Sequence, residues 1–170
     1  MLDTVFGLPV HPLVVHATVV VVPAAAASVF LAAVWPRFRR WAALLPLGLA
    51  VVGLVLDPLS TSSGESLEHT VGGSALIERH SELADGLLPW MLALTVLAAG
   101  LYAWHWRSQR HGTGRGRSSG PRWVAVLVCS AAAVAAVGTG VQVVRIGHSG
   151  AEAAWSGVAA KPSSSAAARP

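Results

Sequence analysis

Charge is scarce in this chain. Asp, Glu, Lys and Arg supply 12% of its 170 residues and apolar types supply 54%, against about 25% charged in an ordinary soluble domain. So few charges cannot cover that much apolar material in water. A conventional soluble globule is excluded, and the composition points to a chain embedded in a membrane. Cysteine is almost absent too. Cys129 alone excludes an intrachain disulfide or a cysteine metal cluster and says nothing about redox compartment. No His-Glu-x-x-His, nucleophile elbow or phosphate loop occurs, which leaves soluble-style hydrolysis without a basis. A cleaved leader is not expected, because the N-terminus lacks a basic stretch, carries Asp3 and enters an apolar run too long for a signal-peptide core.

What the chain does have is four long apolar runs, at about 13–35, 41–59, 87–106 and 123–144. Each is close to the ~20 helical residues that cross a hydrocarbon core of ~30 Å. None shows the alternation of barrel strands, and an isolated span in lipid must satisfy its own backbone as a helix. Basic residues set the orientation. Arg37, Arg39 and Arg40 lie between the first two runs; Arg107, Arg110, Arg115, Arg117 and Arg122 lie between the last two. These links hold eight of the twelve basic residues and none of the eight acids, so the positive-inside rule places both in the cytoplasm. Trp35, Trp41, Trp104, Trp106 and Trp123 stand beside them, where an inner aromatic belt belongs. The net charge of +4 therefore reads as orientation, not as affinity for nucleic acid.

The expected fold is an all-α integral membrane domain over 1–155: a four-helix transmembrane bundle, up-down-up-down, N-out and C-out, contacting lipid all round. The expected inner loop, 107–122, is rich in Gly, Arg and Ser, and the tail 156–170 is Ala, Ser and Pro; both read as disordered. The outer loop, 60–85, carries more pattern. Ser63–His69 resembles the start of an interfacial helix, Val71–Ser74 breaks it, and Ala75–Asp85 reads as a polar helical lead-in to the third span. No internal repeat is convincing.

Read through this topology, five of the seven histidines, His11, His16, His69, His80 and His148, lie on the outer side with all the acids. His105 and His111 fall at the inner interface. Counting 1.5 Å per residue up from the inner tryptophans places His16 at ~28 Å, just inside the outer boundary, and His11, His80 and His148 at ~36–39 Å. Imidazoles on separate helices at one level suit haem iron or a transition metal. His80 and His148 are the expected haem pair, with His11 as substitute. His16 is expected to point into the bundle as a deeper packing or propionate-side residue, His11 to lie over the rim, and Arg145 to join the cofactor-binding set. His11, His80 and His148 are the set for zinc or copper instead. Whether His69 joins them the sequence leaves open. Asp57 and Arg145 fall near the same boundary, and an Arg145 pairing with Asp57 or Glu65 would neutralise charge there. The bland alternative is that these histidines cap helices or meet water and hold no cofactor.

Gly7-Leu-Pro-Val-His-Pro-Leu-Val-Val-His16 before an apolar helix resembles the opening of the bacterial membrane-protein family called domain of unknown function 2231. The Ser63-Gly64-Glu65-Ser-Leu67 corner, His80 before the third span, and Arg145-Ile-Gly-His148-Ser-Gly-Ala151 look like its other landmarks. Ala17-Thr18 departs from the Phe-Pro many members carry. The resemblance covers about 7–155 and implies a bacterial plasma-membrane protein. Some relatives are joined to Rieske or cytochrome c-like domains, which implies a link to electron transfer. The functional expectation is a redox accessory binding haem b, or zinc or copper, at the outer rim, with a redox-protein partner. The alternative is a non-catalytic subunit, assembly factor or small-solute conduit. Oligomeric state and enzyme status stay open.

Overall fold

The structure, a computed structural model, describes residues 4–5, 8–71, 74–110 and 121–159, with side chains described for 11–66, 74–107 and 121–155. The proposed inner loop and tail fall largely outside these residues, as do His111 and the side chain of His69. Apart from a two-residue antiparallel pairing of β1 (Thr4–Val5) with β2 (Leu8–Pro9), the described elements are helical. They are α1 (Val10–Val34), α2 (Pro36–Ala42), α3 (Leu45–Val71), α4 (Ala75–Asp85), α5 (Leu88–Arg110) and α6 (Arg122–Ala159). Four segments are long and apolar enough to cross a membrane: His11–Val34, Leu45–Ser66, Ala75–Arg107 and Arg122–Trp155.

Two helices run further than the apolar pattern suggests. Helix α3 continues through Ser63–His69, where the sequence suggested a fresh helix start. The hydroxyls explain this: Thr61, Ser62, Ser63 and Ser66 each donate to a carbonyl three or four residues back in the same helix. A stretch with the composition of a loop thus satisfies its polar groups along its own turns. Helix α6 likewise runs past 144 to Ala159. The link between α1 and α3 is also helical. Pro36 occupies the first position of α2, where its missing N–H is no loss, and Ala43 turns the chain with a positive φ of 44°.

Helix α4 is capped by Ser74, whose Oγ accepts from the Ile77 N–H. It stops at Gly86, and α5 begins two residues later. That break frees carbonyls at the end of α4, and the Gln142 side chain of α6 donates to one of them, Leu83 O, at 2.6 Å. Gln142 is itself buried, so a polar side chain deep in the bundle has a defined partner.

Helix α1 packs on α3 and α6, and α5 packs on the same two, which leaves α1 and α5 diagonal. Nine of the fifteen residues in the buried apolar cluster are alanines, among them Ala25, Ala32, Ala50, Ala98 and Ala132. Large apolar side chains such as Val20, Val96, Val134 and Val144 face outward. Small-inside, large-outside is the reverse of a water-soluble bundle. It suits helices that approach closely while lipid solvates their outer faces.

Candidate functional site

A cavity of about 480 Å³ opens at the end of the bundle away from α2, between α1, α3, α4 and α6. Its wall is mostly apolar, and two histidines stand in it: His11 from the first turn of α1 and His80 from the middle of α4.

The two are held in the same way. His11 Nδ1 meets Ser63 Oγ at 2.9 Å, and His80 Nδ1 meets Ser149 Oγ at 3.0 Å. Each serine hydroxyl already donates to the carbonyl three residues back, Ser63 to Ser60 O and Ser149 to Ile146 O, both at 2.9 Å. A hydroxyl has a single proton, so with that proton committed the oxygen can only accept from the imidazole. The network therefore places a proton on Nδ1 of each ring, and in the neutral imidazole that leaves the lone pair on Nε2. The residue after each serine is a glycine lying under the ring. A Cβ built on Gly64 would come 3.2 Å from His11 Cε1, and one on Gly150 would come 3.1 Å from His80 Cε1. Ser-Gly on one helix thus forms a cradle for a histidine on its neighbour, and the bundle contains two such cradles.

The correspondence extends along the walls. Asp57, Ser60, Thr61 and Gly64 lie six, three and two residues before Ser63 and one after it. Val143, Ile146, Gly147 and Gly150 stand at the same offsets from Ser149, and all eight line the cavity. On the histidine side, Val15 and Thr18 follow His11 by four and seven residues, as Ala84 and Leu87 follow His80. The α1–α3 hairpin and the α4–α5–α6 hairpin are therefore two copies of one half-site. The frame repeats but the chemistry does not: the α3 wall carries Asp57, Ser60 and Thr61 where the α6 wall carries Val143, Ile146 and Gly147.

Asp57 is the most unusual of these groups. It is 3% exposed, and its Oδ2 is the one buried side-chain oxygen or nitrogen among the described residues without a hydrogen-bond partner. Glu65 also lines the cavity, and no Lys or Arg does among the described residues.

The remaining sequence candidates are placed differently. His148 is exposed on α6 and faces Glu152, with Nε2 3.3 Å from its carboxylate, outside the cavity. Helical rotation explains it: His148 and Ser149 are adjacent on α6, ~100° apart in direction, so when Ser149 faces inward His148 cannot. His16 is exposed and donates through Nδ1 to the Pro12 carbonyl. Because α1 starts at Val10, His11 and His16 belong to one regular helix, ~140° apart. That difference in direction is realised with the opposite sense to the expected one: His11 faces the cavity and His16 faces outward. Arg145 is exposed and forms no described ion pair with Asp57 or Glu65; Glu152 instead pairs with Arg79 at 3.9 Å. No group of three or more His, Cys, Asp or Glu converges as a metal site among the described residues.

Sequence reasoning named Ser63-Gly64 and Ser149-Gly150 only within family landmarks, gave the serines no role, and missed the repeat they mark. Ser-Gly occurs four times in the chain, at 63, 119, 149 and 156, so the dipeptide alone could not single out the two that hold a histidine.

Neither the curated proteins nor the solved structures include a match to the chain. The predicted membrane proteins designated DUF2231 match residues 7–161, a span that takes in all four apolar helices, both histidine cradles and the cavity between them, and the chain belongs to that family.

Proposed function

We propose that the chain is an electron-transfer accessory of the bacterial plasma membrane and that the cavity between His11 and His80 is its working site. The arginine asymmetry of the two links supports an up-down-up-down bundle with both termini outside, which puts the cavity on the outer side of the membrane. The observation that carries the reading is the pair of histidine cradles facing one cavity. Two imidazoles from different hairpins line one mostly apolar cavity, each with Nδ1 tied to a serine, which in the neutral ring leaves the lone pair on Nε2. Orienting a ring through its other nitrogen is how proteins prepare a histidine to bind a group.

The donor set discriminates among the groups raised by the sequence. Zinc or copper would have two imidazoles and no third ligand among the described residues, which suits those ions poorly. His11 and His80 are the residues that would hold haem b, which would supply one-electron chemistry when bound. The wall holds Asp57 and Glu65 and no Lys or Arg among the described residues, so it offers the acidic groups of haem no counter-charge. Electrons would pass to or from a redox-protein partner at the outer face.

The test is the absorption spectrum of the full chain purified from a haem-replete host. A Soret band that responds to dithionite and is lost in both His11→Ala and His80→Ala, but kept in His148→Ala, supports haem at this site. A band that ignores His11 and His80 refutes the assignment of the cavity.

A further inference from the structure

Resting on the reading that this cavity is the working site, we propose that its ligand is an uncharged amphiphilic diol of the hydroquinone type, taken from the lipid phase. Three independent features of the wall point to that chemistry.

The first is the repeat. Two hairpins present the same group, an imidazole held through Nδ1 whose neutral form accepts at Nε2, from equivalent positions in the wall of one cavity. A ligand that satisfies both must carry hydrogen-bond donors at two opposed ends of an otherwise apolar body. A para-diol on a flat ring is the simplest molecule that does so.

The second is Asp57. A buried carboxyl oxygen with no partner is costly, and such a group in a binding cavity implies a polar contact that the ligand completes. Asp57 lies only on the α3 side, and the equivalent α6 position is Val143. One end of the ligand therefore meets a carboxyl group and two hydroxyl residues, Ser60 and Thr61, beside His11, and the other meets His80 against the apolar α6 wall. The frame accepts a two-ended donor, and the walls fix which way round it lies.

The third is charge. The wall holds Asp57 and Glu65 and no Lys or Arg among the described residues, so it offers an anion no fixed counter-charge, whereas a neutral donor needs none. The apolar remainder of the cavity matches a ring with a hydrocarbon tail, a ligand that partitions into the bilayer before it reaches the protein.

The experiment compares an alkyl hydroquinone with its dimethyl ether, which has the same ring and tail but no donors. Binding to the purified full chain in detergent micelles is read by equilibrium dialysis and by the rise in melting temperature on saturation. The diol is expected to bind saturably and about five- to a hundredfold more tightly than the diether, the loss of two hydrogen bonds in a shielded site. His80→Ala and Asp57→Val should each weaken the diol by about two- to tenfold and leave the diether unchanged. If a variant fails to fold, the diol-to-diether ratio of the wild-type chain alone decides. Equal binding of the two overturns the proposal. So does a stoichiometric haem whose Soret band depends on His11 and His80, an outcome that keeps the cavity as the working site and removes only the ligand class. Loss of both the Soret band and the diol preference removes the two readings together.

Discussion

Removing the Ser149 hydroxyl tests the cradle most directly. Ser149 is 4% exposed and receives His80 Nδ1–H at 3.0 Å while donating to Ile146 O. In Ser149→Ala the imidazole loses its acceptor, and two responses are open to it. It can keep Nδ1–H and leave that donor unpaired in a partly buried site, which costs about 1–3 kcal/mol. Or it can move the proton to Nε2, which confines the loss to one net hydrogen bond, about 0.5–1.5 kcal/mol. The second is cheaper, so the tautomer should switch, and the cavity then faces an N–H donor where it had an acceptor. Nitrogen-15 NMR of histidine-labelled protein distinguishes the two forms directly. The wild-type chain should give Nδ1–H signals for both His11 and His80. Ser149→Ala should convert His80 alone, Ser63→Ala should convert His11 alone, and Ser149→Thr, which restores a hydroxyl, should convert neither. An Nε2–H signal from His80 in the wild-type protein would refute the reasoning at its root.

Gly138→Ala should strongly destabilise the bundle, because a Cβ there would lie 2.0 Å from the Trp90 ring; overpacking of this kind costs about 1–3 kcal/mol, and an unchanged melting temperature would contradict the packing. Asp57→Val should raise the thermal stability of ligand-free protein, since it replaces an unpartnered buried carboxyl with the residue type of its α6 counterpart; a clear drop in stability would mean that Asp57 has a partner in the native protein. Single cysteines placed in 112–120 should resist membrane-impermeant reagents on intact cells, and cysteines in 72–74 should react; labelling of the first set from outside would invert the proposed orientation.

The architecture was legible in the sequence because its determinants are coarse. Four apolar runs near twenty residues and a lack of charge leave few alternatives in lipid, whichever face each residue takes. The site was less legible because depth along a helix is a one-dimensional quantity. Counting 1.5 Å per residue placed His11, His80 and His148 near one level, but it carries no information about rotation. The structure brings the first two together and turns the third outward by a single residue step from Ser149. The start of α1 mattered as much: Pro12 could mark the helix boundary or sit in its first turn, and only the position of Val10 as first helical residue decides which of His11 and His16 faces inward. The serines were obscured by composition, since hydroxyls that bond back to their own helix look like loop residues when only their type is read. Asp57 was singled out by depth, yet its lack of a partner is a property of packing that no pattern encodes.

Each cradle is completed within a single hairpin, because the histidine and its Ser-Gly seat belong to the two arms of the same unit. The first hairpin holds His11 and Ser63, and the second holds His80 and Ser149. Chain synthesis can therefore finish one half-site before the other has entered the membrane, while the space between them exists only after the hairpins dock. Occupancy of that space adds a link between two units that also meet through the buried apolar cluster and through Thr95, whose hydroxyl donates to Ala50 O. A molecule bound to both rings acts as a clasp, and its departure is tied to how readily the hairpins part. The lifetime of the bundle in detergent then becomes a readout of whether the clasp is closed.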